Sequence, residues 1–137
     1  MFTFLIFFNM SCWSEESLIQ ERITFFKKSE KSLIKINKLL ITRNYQKIIN
    51  EAKFINDWSK LIPSFFPEGT QATMTNNSDA SSDIWINFDG FVMKAQKTEQ
   101  HSMQIINAAL NNSFDGIKIA LKKTSNSCTS CHRSFRN

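Results

Sequence analysis

The sequence predicts an all-α fold, an antiparallel four-helix bundle with one long loop between helices two and three. Apolar residues recur at spacings of three and four along four stretches of the chain, which is the pattern of amphipathic helices. Three glycines and two prolines among 137 residues are too few for the turns of a many-stranded β fold. A chain of this length is the size of one domain. We therefore expect one helical domain over residues 15–137.

Short links join the predicted helices, except at one place. Helix one starts at about Ser17, where Ser17 and Gln20 have the spacing of a capping box. Helix two ends before Pro63, because proline cannot continue a helix. Both prolines and Gly69 fall in a polar stretch that predicts the long loop. The predicted helices are about 17–40, 44–62, 83–112 and 114–135, with the loop at 63–82.

The N-terminus is apolar. The first eight residues contain four Phe, one Leu and one Ile, and no charged residue precedes Glu15. Such a stretch is typical of a secretory signal and is too short to span a bilayer, which takes about 20 apolar residues. We expect residues 1–14 to be a signal or apolar N-terminal segment, with cleavage near Ser14. Lipidation at Cys12 is an alternative, which Asn9 disfavours because it lies where a lipobox normally has Leu.

The chain is basic, with a formal net charge of +5. Its Lys and Arg residues are interspersed with Glu, Asp and Asn and form no dense run, so we predict no nucleic-acid binding. A basic surface favours attraction to acidic redox partners or anionic surfaces. The chain also has no Gly-rich phosphate loop, no H-E-x-x-H motif and no Ser, His and Asp set, and we predict no enzymatic activity.

A C-x-x-C-H motif lies near the C-terminus, at Cys128, Cys131 and His132. This is the pattern of covalent haem attachment. On a helix, residues three and four apart share a face, so both sulfurs and the imidazole can converge on one planar ligand. The motif predicts one covalently bound haem c, with two thioethers to the cysteines and His132 as the axial iron ligand.

Three other interpretations of the motif stay open. Structural zinc needs four ligands, and beyond the motif the chain offers only the distant His101. A thioredoxin-like redox pair would accompany a βαβ unit, and no strand pattern is present. The third is a non-haem helical interaction module in which the cysteine pair is incidental.

The C-terminal position of the motif resembles the cytochrome c′ family. Its members place C-x-x-C-H-x-x-Y/F-R in the last helix of a four-helix bundle, and here the motif continues to Phe135 and Arg136. Weaker similarities are the loop segment Phe66-Pro67-Glu68-Gly69-Thr70, the pair Ile84-Trp85 at the start of helix three, and Arg22 in helix one.

The resemblance implies further site residues and an iron coordination. The family commonly places an Arg four residues before the side chain that faces the distal side of the haem, which assigns that position to Phe26, four residues after Arg22. A shift of one residue in the alignment would assign it to Phe25, with the same chemistry. Because Phe cannot bind iron, the resemblance implies five-coordinate iron and a crowded site open to diatomic gases such as nitric oxide. An aromatic wall offers no hydrogen-bond donor, which disfavours an oxygen carrier. Arg22 would meet a haem propionate. Arg136, one turn after His132, would either tune the imidazole or meet a propionate, although by default each arginine is a solvated charge.

A six-coordinate electron carrier is the alternative. Some relatives have Met at the distal position, and Met93, Met103 and His101 are the other conceivable sixth ligands. The helical pattern places His101 and Met103 off the apolar face, so this alternative needs an unexpected helix register. The resemblance also implies a periplasmic location, electron exchange with redox partner proteins, and a homodimer through helices one and two.

Overall fold

The computed structural model describes residues 14–137, so the predicted signal segment and Cys12 lie outside the described residues. Four long helices form the predicted all-α bundle, and none of the helices described is long and apolar enough to cross a membrane. The helices are α1 (Glu15–Ile41), α2 (Tyr45–Leu61), α3 (Asp83–Ile86), α4 (Phe88–Leu110) and α5 (Phe114–Phe135), with a 3-10 turn at Ile62–Phe65.

Helix α1 begins at Glu15, two residues earlier than predicted. Ser14 has extended backbone angles and is the N-cap, with its hydroxyl accepting a hydrogen bond from the Ser17 amide at 3.2 Å. The capping box predicted at Ser17 and Gln20 is therefore wrong. Glu15 and Glu16 occupy the first turn instead, where negative charge is stabilised by the helix dipole.

The predicted third helix is interrupted at Asn87. This residue leaves the helical conformation, with φ −130° and ψ 60°, and its side chain accepts a hydrogen bond from the Gly90 amide at 3.1 Å. Asparagine competes with the helix in this way because its short side chain can cap the backbone. Gly90 permits the cap, since a Cβ there would clash with the side-chain amide of Asn87. The prediction of one continuous helix from Asp83 is wrong at this point.

The core has two parts with different chemistry. Towards one end of the bundle the buried side chains are aliphatic, and burial of each large one stabilises the fold by about 1.5–3 kcal/mol; they include Ile36, Leu40, Ile48, Ile105 and Ile117. Towards the other end they are largely aromatic, and include Trp58, Phe66, Phe91 and Phe135. The aliphatic part holds the helices together, and the aromatic part adjoins the C-x-x-C-H motif.

The end of the long loop is tied to the C-terminus. The Ser81 amide donates to the Phe135 carbonyl at 3.0 Å, and the Asn137 amide donates to the Asp79 carbonyl at 2.9 Å. Ala80 and Arg136 form an isolated antiparallel bridge between these bonds. The last turn of α5 and the loop are therefore positioned together.

Candidate haem site

The three residues of the motif line one cavity inside the bundle. Cys128, Cys131 and His132 project from α5 into a space of about 710 Å³ whose other walls come from α1, α2, α4 and the long loop. Cofactor pockets in proteins have volumes of roughly 300–1,000 Å³. The cavity is therefore large enough for a cofactor held by the motif.

Phe26 and His132 both line this cavity, and their rings pack edge-on against each other. Their ring centroids are 6.0 Å apart, with an angle of 72° between the planes. The Phe26 ring contacts Trp58 at 5.2 Å and Phe66 at 6.3 Å, both edge-on. Edge-to-face aromatic pairs are favourable, so Phe26 is held in place beside the imidazole.

The two thiols are free and partly buried. Burial raises the pKa of Cys128, and burial together with the neighbouring Cys128 raises the pKa of Cys131 to about 11. Both are protonated thiols at neutral pH, whereas thiol–disulfide exchange needs a thiolate. Within residues 14–137 no group of three or more His, Cys, Asp or Glu is arranged to hold a metal ion. The raised pKa values of the two thiols disfavour the redox-pair interpretation.

His132 has the protonation state that an iron ligand needs. Burial lowers its pKa, and the positive charge of Arg136 lowers it further, against an opposing effect of Glu30. The imidazole is therefore neutral at neutral pH, which is the form that binds metals.

Arg22 is buried, with 3% of its surface exposed, so its interpretation as a solvated charge is wrong. Its Nη1 donates to the Phe65 carbonyl at 3.1 Å and to Thr70 Oγ1 at 2.7 Å. Its Nη2 donates to the Thr70 carbonyl and to Ser78 Oγ, at 2.5 and 2.7 Å. The guanidinium also lies 4.2 Å from the centre of the Phe66 ring. Arg22 thus ties the long loop to α1 at the edge of the cavity.

The charge of Arg22 persists despite this burial. Burial lowers its pKa to about 10, and Glu15 opposes the effect, so the guanidinium is charged at neutral pH. Both terminal nitrogens already donate to the loop. Its role toward a haem propionate stays a prediction.

Arg136 lines the cavity, but its guanidinium forms an ion pair with Asp79 at the surface. Its Nη2 and Nε lie 2.8 and 3.2 Å from Asp79 Oδ2, and both side chains are more than half exposed. An exposed ion pair of this kind contributes little to stability. The charge of Arg136 still acts on His132, while contact with a propionate stays a prediction.

Two polar groups of the cavity wall were not singled out from the sequence. Ser29 and Trp58 line the cavity and are 8% and 4% exposed. Neither the Ser29 hydroxyl nor the Trp58 indole N–H has a hydrogen-bond partner among residues 14–137. Trp58 follows Ile55 by three residues on the apolar face of α2, so its burial follows from the spacing, but its unpaired N–H does not. The expected lack of a hydrogen-bond donor to bound oxygen stays a prediction.

None of the three conceivable sixth ligands lines the cavity. Met93 and Met103 are 68% and 39% exposed, as the helical pattern indicated for Met103. His101 lines a separate surface groove with Lys94 and Lys97. Phe26 does line the cavity, and its place on the distal side of the haem stays a prediction.

Two thiols and an imidazole converging on a cavity inside a four-helix bundle define a c-type haem protein. The cytochrome c′ family model matches residues 17–136, and the chain belongs to this family, whose members carry covalently attached haem c. The family resemblance predicted from the sequence is confirmed.

Curated relatives match part of the chain. The cytochrome c′ of Rhodospirillum rubrum is 26% identical over 87 residues, which cover 64% of this chain and 58% of the relative. A cytochrome c-556 of Agrobacterium tumefaciens is 33% identical over 78 residues, which cover 57% of this chain and 60% of the relative. The chain thus spans less than two thirds of the length of these relatives.

Solved structures confirm the bundle. A cytochrome c′ with ligand-controlled dimer dissociation superposes with a TM-score of 0.82 at 17% identity, over 90% of this chain and 96% of the other. The nitric oxide complex of a mutant cytochrome c prime from Alcaligenes xylosoxidans gives a TM-score of 0.77 at 19% identity, over 90% and 97%.

Proposed function

We propose that this protein binds one haem c through thioethers to Cys128 and Cys131, with His132 as the axial ligand of a five-coordinate iron. Its function is to bind nitric oxide and to exchange electrons with redox partner proteins in the periplasm, without an enzymatic turnover of its own. The observation that carries the proposal is the position of Phe26 in the cavity wall beside His132, with 6.0 Å between the ring centroids.

Each wall of the cavity has a distinct role in this function. The bound haem supplies an iron centre that changes oxidation state by one electron and binds diatomic gases. His132 is neutral and can donate a nitrogen lone pair on one side. Phe26 has no donor atom for a metal, and the rings packed against it limit the space on the other side. A small gas can enter such a site, whereas a bulky ligand cannot.

The known structures that share the fold are consistent with gas binding. Among them are nitric oxide and carbon monoxide complexes of cytochrome c prime variants from Alcaligenes xylosoxidans. A cytochrome c′ whose dimer dissociates under ligand control also superposes on the chain. By this likeness we extend the proposal to a homodimer through α1 and α2, in which exposed apolar residues such as Ile34, Ile41 and Leu61 are available for contact.

The first experiment is spectroscopic. The protein is exported with the c-type maturation machinery, and absorption spectra are recorded in the ferric and dithionite-reduced states, before and after addition of nitric oxide. We expect a broad high-spin ferrous spectrum that shifts with the gas. A sharp, split low-spin spectrum that ignores nitric oxide would show a sixth protein ligand and refute the five-coordinate proposal.

Two variants test the role of Phe26 directly. Phe26→Met places a thioether opposite His132 and should convert the iron to a six-coordinate, low-spin state. Phe25→Met is the matched control, because Phe25 also packs against Trp58, and against Phe54 and Phe65, but is outside the cavity wall. Equal spectra for both variants would contradict the assignment of Phe26.

Intact-mass measurement of the exported protein tests the proposed haem attachment and signal cleavage. A mass that includes haem and begins near residue 14 supports attachment and signal cleavage. A lipid mass at Cys12 would instead indicate a membrane anchor. Mature protein without covalent haem would favour the non-haem interaction module.

A further inference from the structure

Charge is unevenly distributed between the helices. No Asp or Glu occurs in residues 90–98 of α4 or in residues 116–137, which include nearly all of α5, although the chain has 12 acidic residues. These two helices pack against each other. The stretches carry seven basic residues: Lys94, Lys97, Lys118, Lys122, Lys123, Arg133 and Arg136.

A surface groove between α4 and α5 collects part of this charge. Lys94, Lys97, Lys123 and His101 line it, together with polar side chains of α5. The ion pairs among residues 14–137 involve Lys35, Lys60 and Arg136, so no acidic side chain pairs with the groove lysines in this part of the chain. Their positive potential is therefore directed to the solvent.

The groove lies directly behind the motif. Lys94 Nζ donates to Ser130 Oγ at 2.5 Å, and Ser130 lies between the two cysteines in the sequence. Ser127 lines the groove, and its hydroxyl is 3.0 Å from the hydroxyl of Thr98, which lines the cavity. One layer of side chains thus separates the groove from the cavity.

We propose that this groove, which we call the lysine groove, is where the acidic face of a protein redox partner docks. This inference rests on the proposed function, since it requires haem in the cavity. The docked partner gains or loses one electron, with the opposite one-electron change at the iron, and no bond forms or breaks. Complementary charge raises the rate of such encounters by about 10- to 1,000-fold, and salt reduces the effect.

The test uses the reduced holoprotein and an oxidised blue-copper protein with an acidic surface as electron acceptor. Stopped-flow rates are measured from about 10 mM to about 500 mM salt, where screening becomes nearly complete. Tris(phenanthroline)cobalt(III), a small cation, serves as the reference acceptor. We expect the rate with the acidic protein to fall steeply with salt and the rate with the cation to rise.

Two triple variants show which lysines are responsible for the salt-dependent rate. Lys94→Gln, Lys97→Gln and Lys123→Gln remove the charge of the groove. The control removes three exposed lysines of α1 and α2, and so changes the net charge equally: Lys31→Gln, Lys38→Gln and Lys47→Gln. We expect the groove variant to slow the reaction with the acidic protein by roughly 5- to 20-fold at low salt, and the control by less than about 2-fold. Both variants should match wild type at high salt.

Several outcomes would overturn the inference. Equal slowing by both triple variants would show that net charge, not the lysine groove, controls the rate. Inhibition by inorganic phosphate at constant ionic strength, lost in the groove variant, would assign the groove to a small anion. A protein without covalent haem would overturn the proposed function as well, whereas the first two outcomes leave that function intact.

Discussion

Replacing Arg22 by Ala should destabilise the protein strongly through the long loop. The buried guanidinium donates four hydrogen bonds to that loop and lies over the Phe66 ring. Its acceptors are 43 to 56 residues away in sequence. The variant therefore removes the contacts that join the middle of the loop to α1.

The expected loss can be assembled from these contacts. The Thr70 carbonyl and Ser78 Oγ each keep a second partner, at 3.0 and 3.2 Å. The Phe65 carbonyl loses its donor, and Thr70 Oγ1 loses its donor but still donates to the Pro67 carbonyl at 2.9 Å. Loss of each of these two bonds from a charged group costs about 1.5–3 kcal/mol. Loss of the contact with Phe66 adds about 0.5–2 kcal/mol. The substitution also removes the desolvation penalty of the buried charge, which offsets part of these losses. We expect a net loss of about 3–5 kcal/mol, whereas the total free energy of unfolding of a domain is about 5–15 kcal/mol.

Urea unfolding of the holoprotein, followed by circular dichroism, measures this loss. Arg22→Lys keeps the charge but not the planar set of donors, so its loss should be intermediate, about 1–3 kcal/mol. Arg133→Ala is the control, because Arg133 is exposed, and its effect should stay within about 0.5 kcal/mol. Hydrogen exchange should accelerate at the loop amides in the Arg22 variants.

The reasoning fails if Arg22→Ala unfolds within about 1 kcal/mol of wild type. It also fails if the variant loses stability but the loop amides stay as protected as before. The first result would mean that desolvation of the guanidinium cancels its hydrogen bonds. The second would mean that Arg22 stabilises the helices and not the loop.

Three further predictions concern single contacts. Asn87→Ala removes the N-cap of α4 and should cost about 1 kcal/mol in urea unfolding. Asp79→Ala breaks an ion pair between half-exposed groups, so its cost should stay within about 1 kcal/mol and shrink with added salt. Ser29→Ala and Trp58→Phe remove the unpaired donors of the cavity wall. If these donors reach a bound gas, the C–O stretch of the ferrous carbon monoxide complex should move to higher frequency, by infrared spectroscopy.

Each of these has an outcome that contradicts it. Asn87→Asp should retain most of the cap, since Asp is also a good N-cap; equal losses for Ala and Asp would exclude capping as the cause. A loss above about 2 kcal/mol for Asp79→Ala would show that the ion pair holds the loop to the C-terminus. An unchanged C–O stretch in both cavity variants would show that the two donors face away from the gas.

Local patterns were enough to predict the helices and the motif. Apolar spacings of three and four define a helix face within a few residues of chain, and C-x-x-C-H places its three side chains on one such face wherever the helix lies. These predictions depend on neighbours along the chain only. Errors arose where two local signals competed, as at Ser14 against Ser17 for the first cap, and at Asn87 within the third helix.

The different burial of Arg22 and Arg136 is a feature that local sequence patterns do not predict. Arg22 and Arg136 are alike in the sequence, yet one is buried at 3% exposure and the other is exposed and paired with Asp79. The difference lies in partners 43 to 57 residues distant, which are brought near only when the loop closes over the bundle. No spacing rule along the chain reports such contacts.

The sequence by itself determined the all-α class, the haem motif and the family, because each depends on residue types at short, regular spacings. The tertiary structure alone decided that Trp58 and Phe66 hold the Phe26 ring, that Arg22 holds the loop, and that a lysine groove lies behind the cysteines. These facts depend on how the helices pack and where the loop crosses them. Packing joins residues that are far apart in the chain, and its result is visible only in the folded molecule.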